Sequence, residues 1–154
     1  MRIPVHFPGG VAVAARVGAH VVATDQPAAA GGGATAPAPF DLFLASLATC
    51  AGFYAVRFCQ TRQVDSAGLG LEMETESEGH GITRIRFHLR LPDGFPERYR
   101  EAIVRAVDQC AVKRHLDNPP RFETLVTTAE EARAQARRAD IPSERSLEPV
   151  PGKP

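Results

Sequence analysis

The three cysteines are the residues of this chain whose side chains could carry redox chemistry. Cys50 and Cys59 stand in one long apolar stretch, and Cys110 follows Cys50 after 60 residues. A thiolate attacks electrophiles such as peroxides and becomes a sulfenic acid, which a second thiol can convert to a disulfide. The competing interpretation is that each cysteine is a small buried apolar residue, which is the commoner state of an intracellular thiol.

The stretch Pro37–Arg62 predicts the helix that carries both early cysteines. Pro39 suits the first turn, where a missing N–H costs nothing, and Asp41 is favoured there by the helix dipole. A helix that is apolar on nearly every face is typically buried on all sides. Such a stretch could also cross a membrane, but Asp41 and Arg57 near its ends favour a core helix.

Helical geometry separates Cys50 from Cys59. They are nine residues apart, which places them on opposite faces and excludes a disulfide between them. The helical neighbours of Cys50 form an aromatic stripe that ends in one cation. The predicted substrate-binding residues on this helix are Phe43, Phe53, Tyr54 and Arg57. Cys59 has no such neighbours, so Cys50 is the better candidate nucleophile.

Composition restricts the class of protein. A chain of 154 residues is long enough for one domain with a real core. Its 18 basic and 18 acidic residues give no net charge, so nucleic acid and membrane surfaces are not expected partners. Three cysteines without framework spacing exclude a disulfide scaffold, and the N-terminus has no signal-peptide pattern. We expect a soluble cytoplasmic protein.

Short β-type runs stand on both sides of the helix. The predicted strands are Arg2–Phe7, Val11–Val17, His20–Thr24, Leu69–Glu76 and Thr83–Leu91. The second and third can pair as a hairpin across Gly18, and the last two across the turn 78–81. We expect one antiparallel sheet of four or more strands with the apolar helix on its dry face. Residues 28–38 are Ala, Gly, Thr and Pro only, which predicts a flexible loop.

Cys110 is predicted to stand where two helices meet. An apolar stripe predicts a helix from about Glu97 to Cys110. Asp108 could cap a further short helix, Cys110–Leu116, which would place Cys110 in a first turn that lowers a thiol pKa.

The end of the chain is predicted in three parts. Phe122–Thr128 is a β-type run, Ala129–Ala139 is helical by propensity but has no apolar face, and Ser143–Pro154 predicts a disordered tail. The expected division is a domain over residues 1–128 and a C-terminal helix and tail over residues 129–154.

Three stretches together resemble the OsmC/Ohr family of thiol peroxidases. They are PFDLFLASLATC at Pro39–Cys50, FPERYREAIVR at Phe95–Arg105 and DQCAVKRHL at Asp108–Leu116. The order of strands, apolar helix with a cysteine, strands, and helix with a second cysteine supports the resemblance over roughly residues 1–128. It implies an α+β fold in which antiparallel sheets wrap the long central helices of an intertwined homodimer.

The resemblance also implies an activity. Cys50 would attack the peroxide O–O bond, and Cys110 would resolve the sulfenic acid as a disulfide. A small dithiol such as dihydrolipoamide would then reduce that disulfide, with no metal, haem or flavin. The implied partners are a second copy of the chain, a small hydroperoxide and a thiol reductant. An apolar, aromatic-lined pocket would favour organic hydroperoxides over hydrogen peroxide.

The chain departs from the family pattern near Cys50. The position of the family's glutamate, ten residues before the first cysteine, is Phe40 here, and Asp41 is one place off. Arg16 is the nearest candidate for the activating cation and the third predicted catalytic residue, with Arg57 as an alternative within the helix. The proline common after the second cysteine is Ala111. These differences favour the OsmC-like branch of the family.

A second function stays open at this point. A non-catalytic OsmC-like dimer could bind an apolar ligand or sense oxidants, with its cysteines reversibly oxidised or simply packed. A Cys–His hydrolase is formally possible but has no local signature. The five histidines are scattered, so no metal site is expected.

Overall fold

The computed structural model of the chain describes residues 1–79 and 81–139. In chain order its elements are β1 (Val5–Gly9), β2 (Ala12–Val17), β3 (His20–Thr24), α1 (Pro39–Arg62), β4 (Gly70–Glu78), β5 (Gly81–Arg90), α2 (Arg100–Val107), α3 (Ala111–Asp117) and α4 (Ala129–Ala139). Single turns of 3₁₀ helix stand at Ala28–Ala30 and Glu97–Tyr99. The predicted α+β class is confirmed.

The strands form two separate antiparallel sheets within the described residues. One sheet has the order β1-β2-β3, and the other is the hairpin β4-β5. The prediction of one sheet of four or more strands is therefore wrong. A long loop and the whole of α1 separate β3 from β4 along the chain, so local turns pair strands only within each group.

Helix α1 begins at Pro39, as the sequence predicts. The Asp41 carboxylate accepts a hydrogen bond of 3.1 Å from the Ala38 N–H, which satisfies one free donor of the first turn. The helix ends where Gln63 adopts a left-handed conformation with φ of 55°, and the Gln63 N–H bonds back to the last turn.

One face of α1 is buried by the chain, and the opposite face is not. The buried residues recur every four positions, at Leu47, Ala51, Ala55 and Cys59. Across the helix, Phe53 is 60% exposed and Val56 is 39% exposed. The expectation of burial on all sides is wrong for a single chain, because α2, α3 and β4 cover only one stripe.

The core lies where the buried stripe of α1 meets α2. Ala51, Ala55 and Cys59 pack with Ile103 and Val107, and the small residues of α1 allow the two helices to approach closely. The inner side chains of the β4–β5 hairpin pack against the same cluster; they are Leu71, Phe87 and Leu89. The outer face of that hairpin carries glutamate–arginine pairs such as Glu76 with Arg84. This core fixes the direction of α1 and of the chain that follows α2.

The loop between β3 and α1 is held by one carboxylate. Asp25 is 4% exposed and accepts hydrogen bonds from the N–H groups of Gln26, Gly33 and Thr35 and from the Thr35 hydroxyl, at 2.8 to 3.1 Å. These bonds lower the pKa of Asp25, led by those from Thr35. The prediction of a flexible loop is wrong here, because a residue outside the Ala/Gly/Pro run organises it.

The chain after α3 begins a second unit at Pro120, while the first unit spans Met1–Pro119. The predicted strand Phe122–Thr128 is wrong: it has no strand partner among the described residues, and Phe122 and Val126 are each 92% exposed. High β-propensity alone does not make a strand without a pairing partner. The predicted helix α4 is confirmed. The predicted tail Ser143–Pro154 lies outside the described residues.

Candidate active site

Cys110 stands at the junction between α2 and α3. The chain leaves α2 after Val107 and turns tightly, with the Cys110 N–H bonded to the Val107 carbonyl at 3.2 Å. Cys110 is the residue immediately before α3 and is completely buried. Its Sγ lies 4.0 Å from the carbonyl oxygen of Leu47 on α1, so the turn after α2 brings this thiol against α1.

Cys50 lies one turn beyond Leu47 on α1 and is partly buried. The Cys110 thiol interacts with the Cys50 thiol, and together with the backbone N–H groups of Ala111 and Val112 it lowers the pKa of Cys50. Two thiols that are 60 residues apart in the sequence therefore share one site.

The pKa values of the two thiols are shifted in opposite directions. Burial acts to raise the pKa of Cys50, but the interaction with Cys110, the N–H groups of Val112 and Ala111, and the charge of Arg114 together outweigh it and lower that pKa. Burial raises the pKa of Cys110, and so does its contact with Cys50. Cys50 is thus the more acidic thiol of the pair and Cys110 the less acidic one.

This assignment corrects the expectation that the first turn of α3 would lower the pKa of Cys110. Burial of Cys110 is the larger effect, and the N–H groups of Lys113 and Val112 only reduce it. The same turn lowers the pKa of Cys50 from outside the helix.

Among the described residues, the charge of Arg114 lowers the pKa of Cys50, while the roles predicted for Arg16 and Arg57 stay predictions. The predicted Arg16 lies exposed on β2, and the alternative Arg57 is exposed on α1. Sequence reasoning missed Arg114 and the two N–H groups before it. The spacing in DQCAVKRHL contains the signal, because Arg114 stands one helical turn after Cys110.

The predicted aromatic stripe is divided between two places. The rings of Phe40 and Phe43 stack at 5.6 Å at the start of α1, and Phe53 and Tyr54 meet edge to face at 5.4 Å beyond Cys50. The carboxylate of Asp41 accepts a hydrogen bond from the Ala38 N–H and caps α1. The roles of Phe43, Phe53, Tyr54 and Arg57 in substrate binding stay predictions.

Two apolar clefts lie between α1, β5 and α3. The first has a volume of about 360 Å³ and is lined by Leu47, Ile85, Phe87, Asp108, Lys113, Leu116 and Asp117. The second has a volume of about 400 Å³ and is lined by Phe40, Phe43, Ile82, Thr83, Arg84, Ile85 and Leu116. A larger hollow of about 650 Å³ along β4 and β5 does not include α1 or α3. The first of the two smaller clefts is the better placed for a ligand, because Leu47 in its wall also contacts Cys110.

Among the described residues, no group of three or more His, Cys, Asp or Glu side chains is placed to hold a metal ion. The site therefore consists of two thiols, backbone N–H groups and one arginine.

Comparisons with known proteins identify relatives of this arrangement. The family model described as OsmC-like protein matches residues 31–125. A comparison with curated proteins gives no match. Two crystal structures share the fold at 18% identity. The first is a Psychrobacter arcticus 273-4 protein provisionally described as an osmotic stress induced and detoxification response protein, with a TM-score of 0.63 over 73% of this chain and 85% of that one. The second is an organic hydroperoxide resistance protein OsmC from Legionella pneumophila, with a TM-score of 0.51 over 75% and 89%.

Proposed function

Because this chain belongs to the OsmC-like protein family, we propose that it is a thiol-dependent peroxidase that reduces organic hydroperoxides through Cys50 and Cys110. The observation that carries the proposal is the pairing of these two thiols with opposite shifts in pKa. A lowered pKa supplies the thiolate that attacks a peroxide, and the neighbouring thiol supplies a resolving group.

The reaction has two balanced steps. The Cys50 thiolate attacks the terminal oxygen of the hydroperoxide, the O–O bond breaks, and the organic oxygen leaves as an alkoxide that takes up a proton to become an alcohol. The resulting Cys50 sulfenic acid then reacts with the Cys110 thiol. An S–S bond forms, the S–O bond breaks, and water leaves. An external dithiol, such as dihydrolipoamide, returns both thiols by disulfide exchange.

We further propose that the working form is an intertwined homodimer without a metal, haem or flavin, and that it is cytoplasmic. Helix α1 is long and apolar enough to cross a membrane, and 22% of its most apolar window is buried by its own chain. Its exposed stripe, including Phe53 and Val56, would be covered by a second copy. The family match includes the whole of α1, which favours a core helix of a soluble domain. A stable monomer in analytical ultracentrifugation would contradict the dimer.

A peroxide titration of the reduced protein tests the activity. One equivalent of cumene hydroperoxide is added, with hydrogen peroxide in parallel, and the three cysteines are mapped by mass spectrometry. We expect a rapid, stoichiometric Cys50–Cys110 disulfide in the wild type and in Cys59→Ser, and none in Cys50→Ser. A Cys50 that remains a thiol under excess cumene hydroperoxide would refute the peroxidase.

The second candidate function is the non-catalytic dimer that binds an apolar ligand or senses oxidants. The observation that favours it is the pair of apolar clefts that share Ile85 and Leu116. This second function would be preferred if Cys50 remains a thiol under excess peroxide while the wild type binds an apolar fluorescent probe stoichiometrically. Leu116→Asp should then lose that binding.

A further inference from the structure

Lys113 joins three elements around the candidate active site. Its Nζ lies 2.6 Å from the Asp108 carboxylate in the turn after α2 and 4.8 Å from the ring centre of Phe87 on β5. Lys113 itself belongs to the first turn of α3. One side chain therefore connects α3 to the end of α2 and to the β4–β5 hairpin.

This ion pair differs from the others on the surface. The Lys113 and Asp108 side chains are 27% and 58% exposed, whereas those of the helical pair Arg105–Glu101 are 70% and 90% exposed. Exposed pairs contribute little, since water and salt screen them. A less exposed ammonium that also contacts an aromatic face is screened less and restricts its own helix more.

The element that Lys113 anchors is short. Helix α3 has seven residues, too few to be stable in isolation, so its position depends on tertiary contacts. Helix α3 packs against α1, and the Sγ of Cys110, immediately before α3, lies 4.0 Å from the carbonyl oxygen of Leu47. The N–H groups of the first two residues of α3, Ala111 and Val112, lower the pKa of Cys50. A small displacement of this turn would weaken that effect, because the interaction of an N–H group with an acceptor loses strength steeply with distance and angle.

We propose that Lys113 is a positioning residue: held between the Asp108 carboxylate and the Phe87 ring, it fixes the first turn of α3 so that the N–H groups of Ala111 and Val112 face Cys50. The proposal rests on the role of Cys50 as the nucleophile. Lys113 touches neither sulfur through its side chain in this arrangement and acts through the backbone that follows Cys110.

The test is the rate at which iodoacetamide alkylates Cys50 as a function of pH, followed by peptide mapping so that each thiol is read separately. In Lys113→Met we expect the midpoint of the profile to move to higher pH and the rate at neutral pH to fall several-fold. Lys113→Arg should restore most of the wild-type profile, since a guanidinium can reach the same carboxylate and stack on the same ring.

Asp108→Asn separates positioning from a direct effect of charge. Removing a negative charge would by itself lower the pKa of nearby Cys50 and speed alkylation. Loss of the anchor for Lys113 would do the opposite, so positioning predicts that Asp108→Asn slows alkylation, as Lys113→Met does. Arg105→Met, which breaks an exposed pair on α2, is the matched control and should leave the profile unchanged.

The outcomes distinguish this inference from the proposed function. An ordinary alkylation profile for Cys50 in the wild type would refute the nucleophile itself. A low midpoint in the wild type that persists in Lys113→Met, or that falls further in Asp108→Asn, would refute only the role of Lys113. Circular dichroism and thermal melting of each variant verify that the helices are retained, and Asp108→Asn keeps the test decisive if Lys113→Met unfolds.

Discussion

Cys50 and Cys59 stand on the same helix, but their surroundings shift the two thiol pKa values in opposite directions. Cys59 is completely buried against Ile103, Val107 and Phe95, and burial, assisted by the charge of Asp65, raises its pKa. Cys50 meets backbone N–H groups and a second thiol, and its pKa is lowered. The difference shows that the element packed against α1 sets the reactivity of each thiol, while the helix itself is common to both.

Exchanging the two sulfurs in turn tests this comparison most strongly. We expect Cys50→Ser to lower peroxidase turnover by about 100-fold or more, since a serine hydroxyl is not ionised at neutral pH. Cys59→Ser should retain the activity but lower the free energy of unfolding by about 1–3 kcal/mol, because it places a hydroxyl among apolar side chains. Coupled peroxide assays and urea unfolding measure the two effects. Equal losses of activity in Cys50→Ser and Cys59→Ser would contradict the distinction between a reactive thiol and a structural one.

A larger side chain at the α1–α2 contact should disturb the region of Cys59 first. Ala55 is 1% exposed, and Ala55→Leu would overfill the contact at a cost of about 1–3 kcal/mol. We expect a lower urea midpoint with an unchanged alkylation profile for Cys50. A changed profile would mean that the two regions are coupled through α1.

Replacing Arg114, the cation near Cys50, should change the reactivity of Cys50 by a smaller amount. Because the charge of Arg114 lowers the pKa of Cys50 from an exposed position, Arg114→Met should raise that pKa. The thiolate forms as pH rises through the pKa, so the variant should react a few-fold more slowly at neutral pH and equally fast at alkaline pH. Added salt should shrink the difference. Arg16→Met is the matched control. A larger loss of rate in Arg16→Met than in Arg114→Met would favour Arg16 as the activating cation.

The smallest effect is expected from Asp25, which lies outside both thiol regions. Its pKa is lowered in the folded chain, so its carboxylate stabilises the fold above the unfolded pKa of about 3.9, and this contribution is lost as pH falls through the folded value. Asp25→Asn should lower Tm by a few degrees at neutral pH and by less in acid, with both thiols unchanged. A pH-independent difference would argue against ionisation as the cause.

Local signals in the sequence are sufficient for most of the elements, while the pairing of Cys50 with Cys110 is an implication of the family resemblance. Pro39 and Asp41 mark the start of α1, and alternation in Leu69–Glu76 and Thr83–Leu91 predicts the β4–β5 hairpin. These features depend on neighbours within a few residues, which is the range over which periodicity and capping act.

The errors arise where distant residues decide the outcome. The acidity of Cys50 depends on N–H groups more than 60 residues later, and no local pattern encodes that contact. The sequence predicts burial on every face of α1, including the stripe that is exposed. Periodicity shows that a face is apolar, but it does not show which chain covers that face. Phe122–Thr128 has the propensity of a strand but pairs with no strand among the described residues.

The Gly31–Gly33 run next to Asp25 has a consequence for proteolysis and for which of its residues can be replaced. A Cβ on Gly32 would lie 1.9 Å from the carbonyl oxygen of Gln26, whereas a Cβ on Gly31 would meet nothing within 4 Å. Three identical letters therefore carry unequal constraints. A stretch whose composition invites proteases is closed into a compact turn. Gly31 is restricted by its φ of 80°, and a Cβ on Gly33 would lie 3.2 Å from the Asp25 carboxylate, so resistance to limited digestion should fail most readily when Gly32 or Asp25 is replaced.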